Sequence, residues 1–454
     1  MRKVRPALLK GFDQEFLPSE QLQFNALVEL IQRNFERFGF LPIETPSAER
    51  IEVLTSKGGT EKEIYALSRL AAGDEDEDAA RGALRFDLTV PLARYVAMRE
   101  RELAFPFRRY QIQRVWRGEN PQVKRGRFRE FYQCDIDIIG RESLSYLAEA
   151  EIPSVIHAVF REMAIGAFRI RINNRKVLKG ILRHFEVSDE RSADVLRALD
   201  KTDKEDERSV LAQLGAQGLG GKQAAELYRI IAAKRETSET LALLGELAYA
   251  NETYVQGVEE LRQTVEATRL FGVPDTAFAI DLSVVRGLDY YTGTIYETTL
   301  VDHPDIGSIC SGGRYDDLAS YFTNTKLPGV GISIGLSRLF ARLKDAKLLR
   351  APARTPAEVL VTTLDPGSLE RYLRIASSLR AQDINTEVYL ERAKIGKQFE
   401  YANKKGFRVA ITAGADEFSR GTVKVKDLSA QAETDVPLDQ VAARVKTMLD
   451  SKAH

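Results

Sequence analysis

Cysteine is almost missing from this 454-residue chain, and the two that occur, Cys134 and Cys310, lie far apart. With His157, His184, His303 and His454 as the only histidines, no spacing resembles a zinc ligand set. A disulfide scaffold is thereby excluded, and the expectation is a reduced, cytoplasmic protein with no structural metal. Charge of one sign is missing too: 66 Lys and Arg balance 66 Asp and Glu. Any surface for nucleic acid must therefore come from local clustering. No apolar run reaches the roughly 18 residues of a membrane span. The start, MRKVRPALLKGFDQEFLP, lacks the unbroken apolar core of a signal peptide. A protein neither exported nor membrane-bound is expected. Its length exceeds what one hydrophobic core supports, which implies several domains.

What is present begins with a helix. Phe24, Leu27, Val28, Ile31 and Phe35 recur at three- and four-residue steps, and Gly39 follows where a helix would stop. In FGFLPIETP, Pro42 and Pro46 cannot both donate to a central ladder, so this segment reads as an edge strand or one at a subunit boundary. The acid run Asp74 to Asp78 reads as a solvated loop without chemistry. From Leu84 the pattern alternates, with Leu84, Phe86, Leu88 and Val90 on one face and Arg85, Asp87 and Thr89 on the other. FYQCDIDIIG alternates likewise, Tyr132, Cys134, Ile136 and Ile138 against Gln133, Asp135 and Asp137. Two strands of this kind predict an antiparallel sheet whose polar face floors a site. Between them, Arg114, Arg117, Lys124, Arg125, Arg127 and Arg129 flank turn-forming Gly118, Asn120, Pro121 and Gly126. A charged hairpin would look like this, and so would a set of guanidinium forks for phosphate.

The segment RGLDYYTGTIYE, Arg286 to Glu297, puts a cation and an acid before two adjacent tyrosines and a β-branched run. If this is strand, Tyr290 and Tyr291 point to opposite faces, one into a cavity and one into packing. Alone it would read as a turn with a structural arginine; beside the other polar-lined stretches, a functional role is favoured. Residues 176–273 read as a helical insertion that interrupts one domain, with GLGGK at 218–222 breaking the run. In SICSGGRYDDL and PGVGISIGLSRLF the glycines fit a tightly packed strand entering a helix, with Arg338 in its first turns. APARTP, 351–356, reads as a linker. Beyond it, alternating strands and helices predict a separate α/β domain with a largely parallel sheet.

Together, LRFDLTVPLARY, the basic loop ending REFYQCD, VVRGLDYYTG, SGGRYDDL and GISIGLSRLF resemble the histidyl-tRNA synthetase family of class II aminoacyl-tRNA synthetases, over nearly the whole chain. The resemblance implies a multidomain α+β and α/β protein. An antiparallel class II catalytic core would span 1–350, interrupted by the insertion at about 176–273, with an α/β anticodon-binding domain at 357–454. It implies a homodimer whose first motif is the early helix with the Pro46 strand. It also implies a ligase that makes histidyl-adenylate from L-histidine and ATP, the latter with Mg²⁺, and transfers histidine to the 3′ end of tRNA(His).

By the same resemblance, Asp87 and Thr89 would hold the amino group of histidine. Gln133 and Asp137 lie on the polar strand beside it, and Tyr291 and Tyr315 surround the imidazole. A pocket that satisfies both ring nitrogens rejects apolar amino acids, because its own polar groups would be left unpaired. Arg117 would meet the α-phosphate of ATP, and Phe131 and Arg338 would sandwich the adenine. Arg286 would be the catalytic cation where other class II enzymes place a metal ion. Lys394, Lys397, Lys404, Lys405, Lys424 and Lys426 of the last domain are candidates for RNA phosphates. Two features depart from the family pattern: the long loop GENPQVKRGRF, and Ser337 where many members carry an acid. The rival readings are a regulatory paralogue of histidine biosynthesis that does not charge tRNA and a class II synthetase for another amino acid.

Overall fold

The computed structural model describes residues 6–56, 61–69, 81–203, 205–285, 290–317, 319–349 and 353–450. The chain forms two compact units, Met1–Gln14 with Leu27–Leu349 and Glu15–Ala26 with Arg350–His454. Helix α1 (Pro18–Arg37) follows from the apolar stripe, burying Phe24, Leu27, Ile31 and Phe35, and the chain turns at Gly39 with φ of 75°. Strand β1 (Leu41–Pro42) then takes the sheet edge, where a proline costs no ladder bond. A small ribbon follows, β2 (Ala48–Arg50) and β3 (Gly82–Leu84), with the short helix α2 (Ile51–Leu54) after β2.

The expected strand from Leu84 to Val90 is not formed. Strand β3 stops at Leu84 and helix α3 (Thr89–Arg99) begins five residues on. Pro91 falls in the first helical turn, where its missing N–H has no partner to lose. The Asp87 carboxylate accepts from the Val90 N–H at 3.1 Å, opening the helix. Arg85 is turned inward and 1% exposed, donating to the carbonyls of Thr45, Pro46 and Arg114. It staples the edge segment to the sheet and does not line the cleft described below. The alternation was genuine in sequence, but seven residues of period two do not outweigh a helix start.

The main sheet has eight strands in the order β1-β4-β5-β10-β9-β8-β6-β7, antiparallel except for its outermost pairs. Strands β4 (Phe107–Trp116) and β5 (Glu130–Ile139) pair along their full length, so the basic loop is the tip of their hairpin. Helix α4 (Tyr146–Met163) leads to β6 (Phe168–Asn174). Six helices follow: α5 (Arg175–His184), α6 (Asp189–Leu199), α7 (Glu207–Ala216), α8 (Gly221–Ala232), α9 (Thr237–Leu247) and α10 (Glu252–Leu270). The chain re-enters the sheet at β7 (Phe278–Ile280), parallel to β6. Strands β8 (Thr294–Leu300), β9 (Ser308–Tyr315) and β10 (Gly329–Ile334) complete it, and β10 runs into helix α11 (Leu336–Asp345).

In the second unit, β11 (Val359–Val361), β12 (Thr386–Val388), β13 (Val409–Thr412), β14 (Thr422–Asp427) and β15 (Ala432–Pro437) form one sheet in the order β12-β11-β13-β14-β15. Helices α12 (Leu369–Arg380), α13 (Ile395–Lys405), α14 (Ala415–Ser419) and α15 (Val441–Asp450) accompany it. The sheet is mixed and not largely parallel: β11 pairs in parallel with β12 and β13, while β14 and β15 add antiparallel. After β13 the connection to β14 is too short for a crossover, which forces the reversal.

Candidate active site

Strand β5 alternates as its sequence requires, and both of its faces are buried. Its polar row continues across the sheet. Arg109 of β4 stands opposite Asp137, with Gly331 of β10 on the other side. Next along come Gln111, Asp135, Ser333 and Ser311. Arg109 is fully buried and forms an ion pair with Asp137. The Tyr315 hydroxyl donates to Asp137 Oδ1 at 2.7 Å, and Gln133 Nε2 donates to Ser333 Oγ at 2.7 Å.

The glycines of β9 and β10 make room for this cluster. A Cβ on Gly331 would lie 2.1 Å from Asp137 Oδ1, and one on Gly329 2.4 Å from the Tyr315 ring. One on Gly313 would come within 3.0 Å of the Tyr291 ring.

Tyr290 and Tyr291 do not point to opposite faces. Their hydroxyls are hydrogen-bonded at 2.8 Å, their ring centroids are 4.2 Å apart, and Tyr290 lies 6.3 Å from Tyr315. Both precede β8, in a turn where strand alternation does not apply. Three phenols therefore converge on the Asp137 end of the polar row.

Burial dominates the electrostatics. It pushes Asp135 up to about 7 and Asp137 up to about 6, although the Arg109 guanidinium pulls both down. Asp87 adds its negative field to both acids and to Tyr290. Desolvation also raises Tyr290, Tyr291 and Tyr315, which stay protonated donors at neutral pH. Asp135 Oδ1 and Gln133 Oε1 are buried without a hydrogen-bond partner among the described residues. A ligand carrying positive charge and N–H groups would satisfy both.

Beside this cluster lies a cleft of about 400 Å³ lined by Arg117, Phe131, Gln133, Ser333, Cys310 and Arg338, among others. The Arg117 guanidinium sits 5.1 Å over the Phe131 ring, and its Nε donates to the Phe86 carbonyl at 2.9 Å. Arg338, in the first turn of α11, donates to the Ile306 carbonyl at 3.2 Å. Ser337 is fully buried: its Oγ accepts from the Tyr132 N–H at 2.8 Å and donates to Gln14. A hydroxyl there ties β5 to α11 without burying an acid.

The structure thus brings Arg117, Phe131, Gln133 and Arg338 to one cleft and Asp137, Tyr291 and Tyr315 to an adjoining cluster, with Asp87 close enough to act on it. Thr89 opens α3, half-buried, and among the described residues forms no side-chain hydrogen bond. Arg286 lies outside the described residues, as does the acid run at 74–78. Reading the sequence missed β4, and with it Arg109; Asp135 was placed on the polar face but given no role. The signal was available in FRRYQIQRVW, where Arg109, Gln111 and Gln113 recur with period two.

A family model described as histidyl-tRNA synthetase matches residues 13–339, and one described as anticodon binding domain matches 358–448. The histidine--tRNA ligase of Xanthomonas axonopodis pv. citri is 49% identical, the match covering 98% of this chain and 97% of that one. That of Xylella fastidiosa is also 49% identical, over 96% of this chain and 97% of the relative. The crystal structure of histidyl-tRNA synthetase from Nostoc sp. PCC 7120 superposes with a TM-score of 0.90 at 40% identity, covering 98% of this chain and all of that one (100%). A structure titled ATP phosphoribosyltransferase regulatory subunit/histidyl-tRNA synthetase, from Bacillus halodurans, shares the fold at a TM-score of 0.72, with 19% identity over 88% of this chain and 97% of that one. With the family model spanning most of the chain and close relatives matching it end to end, the chain belongs to the histidyl-tRNA synthetase family.

Proposed function

We propose that the chain is a histidine--tRNA ligase, which activates L-histidine with ATP and esterifies it to tRNA(His). The observation that carries this reading is the adjacency of the buried Arg109–Asp137–Tyr315 cluster to the cleft holding Arg117, Phe131 and Arg338. The first is a site for a small polar ring with N–H groups. The second suits a planar base and a phosphate chain.

In this reading Tyr291, Tyr315 and Asp137 hold the imidazole, with Gln133 alongside, and Asp87 and Thr89 hold the amino group. Phe131 and Arg338 take the two faces of adenine, and Arg117 meets the α-phosphate. The histidine carboxylate is ionised at neutral pH, so no general base is required. Its oxygen bonds to the α-phosphorus while the bond to the bridging oxygen breaks, releasing pyrophosphate, which Mg²⁺ accompanies as part of the substrate complex. Charge grows on the α-phosphate oxygens in the transition state, and Arg286 with Arg117 stabilises it. The terminal ribose hydroxyl of tRNA then attacks the adenylate carbonyl and AMP leaves.

The catalytic core corresponds to 1–350 with its insertion at 176–273, and 357–454 to the anticodon-binding domain. Among its candidate lysines, Lys405 is paired with Glu387 at 3.1 Å and Lys424 with Glu433 at 2.8 Å, so Lys394, Lys397 and Lys404 are the freer candidates for RNA phosphates. The working form is a cytoplasmic homodimer. None of the described helices is long and apolar enough to cross a membrane.

Charging of bulk tRNA separates this reading from the regulatory one. The full-length chain is expected to attach histidine to tRNA in the presence of ATP. Histidine binding without any charging of tRNA would overturn the proposal.

A further inference from the structure

The polar face of the main sheet does not end at the cleft. Ser311, which lines the cleft, pairs in register with Glu297 of β8, and Glu297 with Arg171 of β6. Around Arg171 lies a second charged network, which the reaction described above does not use. Arg171 contacts Asp281 at 2.7 Å, Glu297 at 3.0 Å and Asp203 at 2.6 Å. Lys234 contacts Asp203 and Asp281, each at 2.9 Å, and the Ser283 hydroxyl at 2.7 Å. Burial alone would raise Asp281, yet Arg171 and Lys234 hold it down at about 2.

The origin of these groups is informative. Arg171 belongs to the strand from which the chain departs into its six helices, and Asp281 and Ser283 follow β7, where it returns. Asp203 comes from the α6–α7 connection and Lys234 from the α8–α9 connection, both inside the helical segment. The returning segment is also held by Asn173 of β6, whose Nδ2 donates to the Leu282 and Val284 carbonyls at 3.1 and 3.0 Å. In sequence it continues directly into Arg286. Packing alone does not ask for this: the largely buried Arg171, Asp281 and Glu297 cost desolvation that apolar side chains would avoid.

Resting on the proposed function, we infer that Lys234 and Asp203 are positioning residues for the activation step. Lys234 clamps Asp281 and Ser283 from the insertion, beside Arg171, and Asp203 holds Lys234 and Arg171 in place, so that together they set the path of the chain that leads into the catalytic segment. The insertion and the reaction centre are thereby mechanically coupled, and a partner that moves the α6–α9 helices would change the rate of adenylate formation.

The test is steady-state pyrophosphate exchange by the full-length chain carrying Lys234→Ala, Ser283→Ala or Lys234→Arg. Lys234 is half exposed at 51%, so its truncation leaves the core intact. Lys234→Ala is expected to lower kcat roughly 10- to 100-fold, the cost of a small misplacement of a reacting group. KM for histidine and ATP should stay within about twofold and the melting temperature within a few degrees, with a smaller fall in kcat for Ser283→Ala. Lys234→Arg, which keeps charge and donors, should recover most of the rate. Wild-type kcat in both alanine variants, or a fall in kcat that tracks lost thermal stability and is not recovered by arginine, would overturn the coupling. Absence of histidine-dependent exchange in the unmodified chain would instead overturn the function on which it rests.

Discussion

Arg286→Ala is expected to lower histidine-dependent pyrophosphate exchange roughly 10²–10³-fold, the cost of removing one preorganised group aimed at developing oxyanion charge. Adenylate formation brings a carboxylate and a phosphate together, and both are anions before either reacts. The buried cluster cannot neutralise them, because Asp87, Asp135 and Asp137 make its field negative and Arg109 is already paired with Asp137. Arg117 supplies one cation at the edge of the cleft. A second is needed on the histidine side, and the proposed function assigns that role to Arg286, which follows in sequence the buried segment ending at Val285. Arg286→Lys should fall between the two, since an ammonium keeps the charge but not the planar fork. Near-normal exchange in a folded Arg286→Ala protein would remove this role.

Arg109→Leu is expected to destabilise the catalytic unit by about 3–5 kcal/mol, the usual cost of stripping one partner from a buried ion pair. The loss should depend on pH in a defined direction. Asp135 and Asp137 are raised in the folded state to about 7 and about 6, above the roughly 3.9 of an unfolded aspartate. The folded protein therefore binds more protons than the unfolded chain between these values. What the two acids contribute to stability is full below pH of about 4 and lost as pH rises through about 6 to 7. Without Arg109 the ionised acids are worse off still, so the variant should be most impaired above pH of about 7 and least near pH of about 5. Melting curves across that range check this, and a loss that did not vary with pH would contradict it.

Residue patterns carried some parts of the fold and site and not others. Strand β5 was legible because residues 132–138 keep strict period two, both faces are buried from Gln133 onward, and no proline or helix start follows to compete with the alternation. The glycines of β9 and β10 read correctly as a packing device, and the structure adds what they accommodate: Asp137, Tyr315 and Tyr291. Arg85 to Thr89 misled, because a short alternation cannot be told from a capped helix start until Pro91 is weighed. The tyrosine pair misled for a related reason: alternation holds only inside the strand, and β8 starts at Thr294. Strand β4 escaped notice because its arginines looked like more of the basic loop, although Arg109 is fully buried and Arg114 half exposed at 47%. Burial separates two arginines that composition cannot. Asp87, Phe131 and Arg338 drew their roles from family resemblance; what the structure adds is their surroundings, an acidic cluster for the first and a cleft for the other two.

The central claim is that the polar face of β5 and its three tyrosines take a ring whose two nitrogens both need partners. Pyrophosphate exchange by the unmodified full-length chain, run in parallel with L-histidine, its two ring N-methyl isomers and L-phenylalanine, tests it most directly. Histidine alone should support exchange, with each methylated isomer weaker by roughly 10- to 100-fold or more, since a charged or buried partner is left unsatisfied. Comparable exchange with phenylalanine or with both methylated histidines would show that the Asp137–Tyr315–Tyr291 cluster does not read the imidazole.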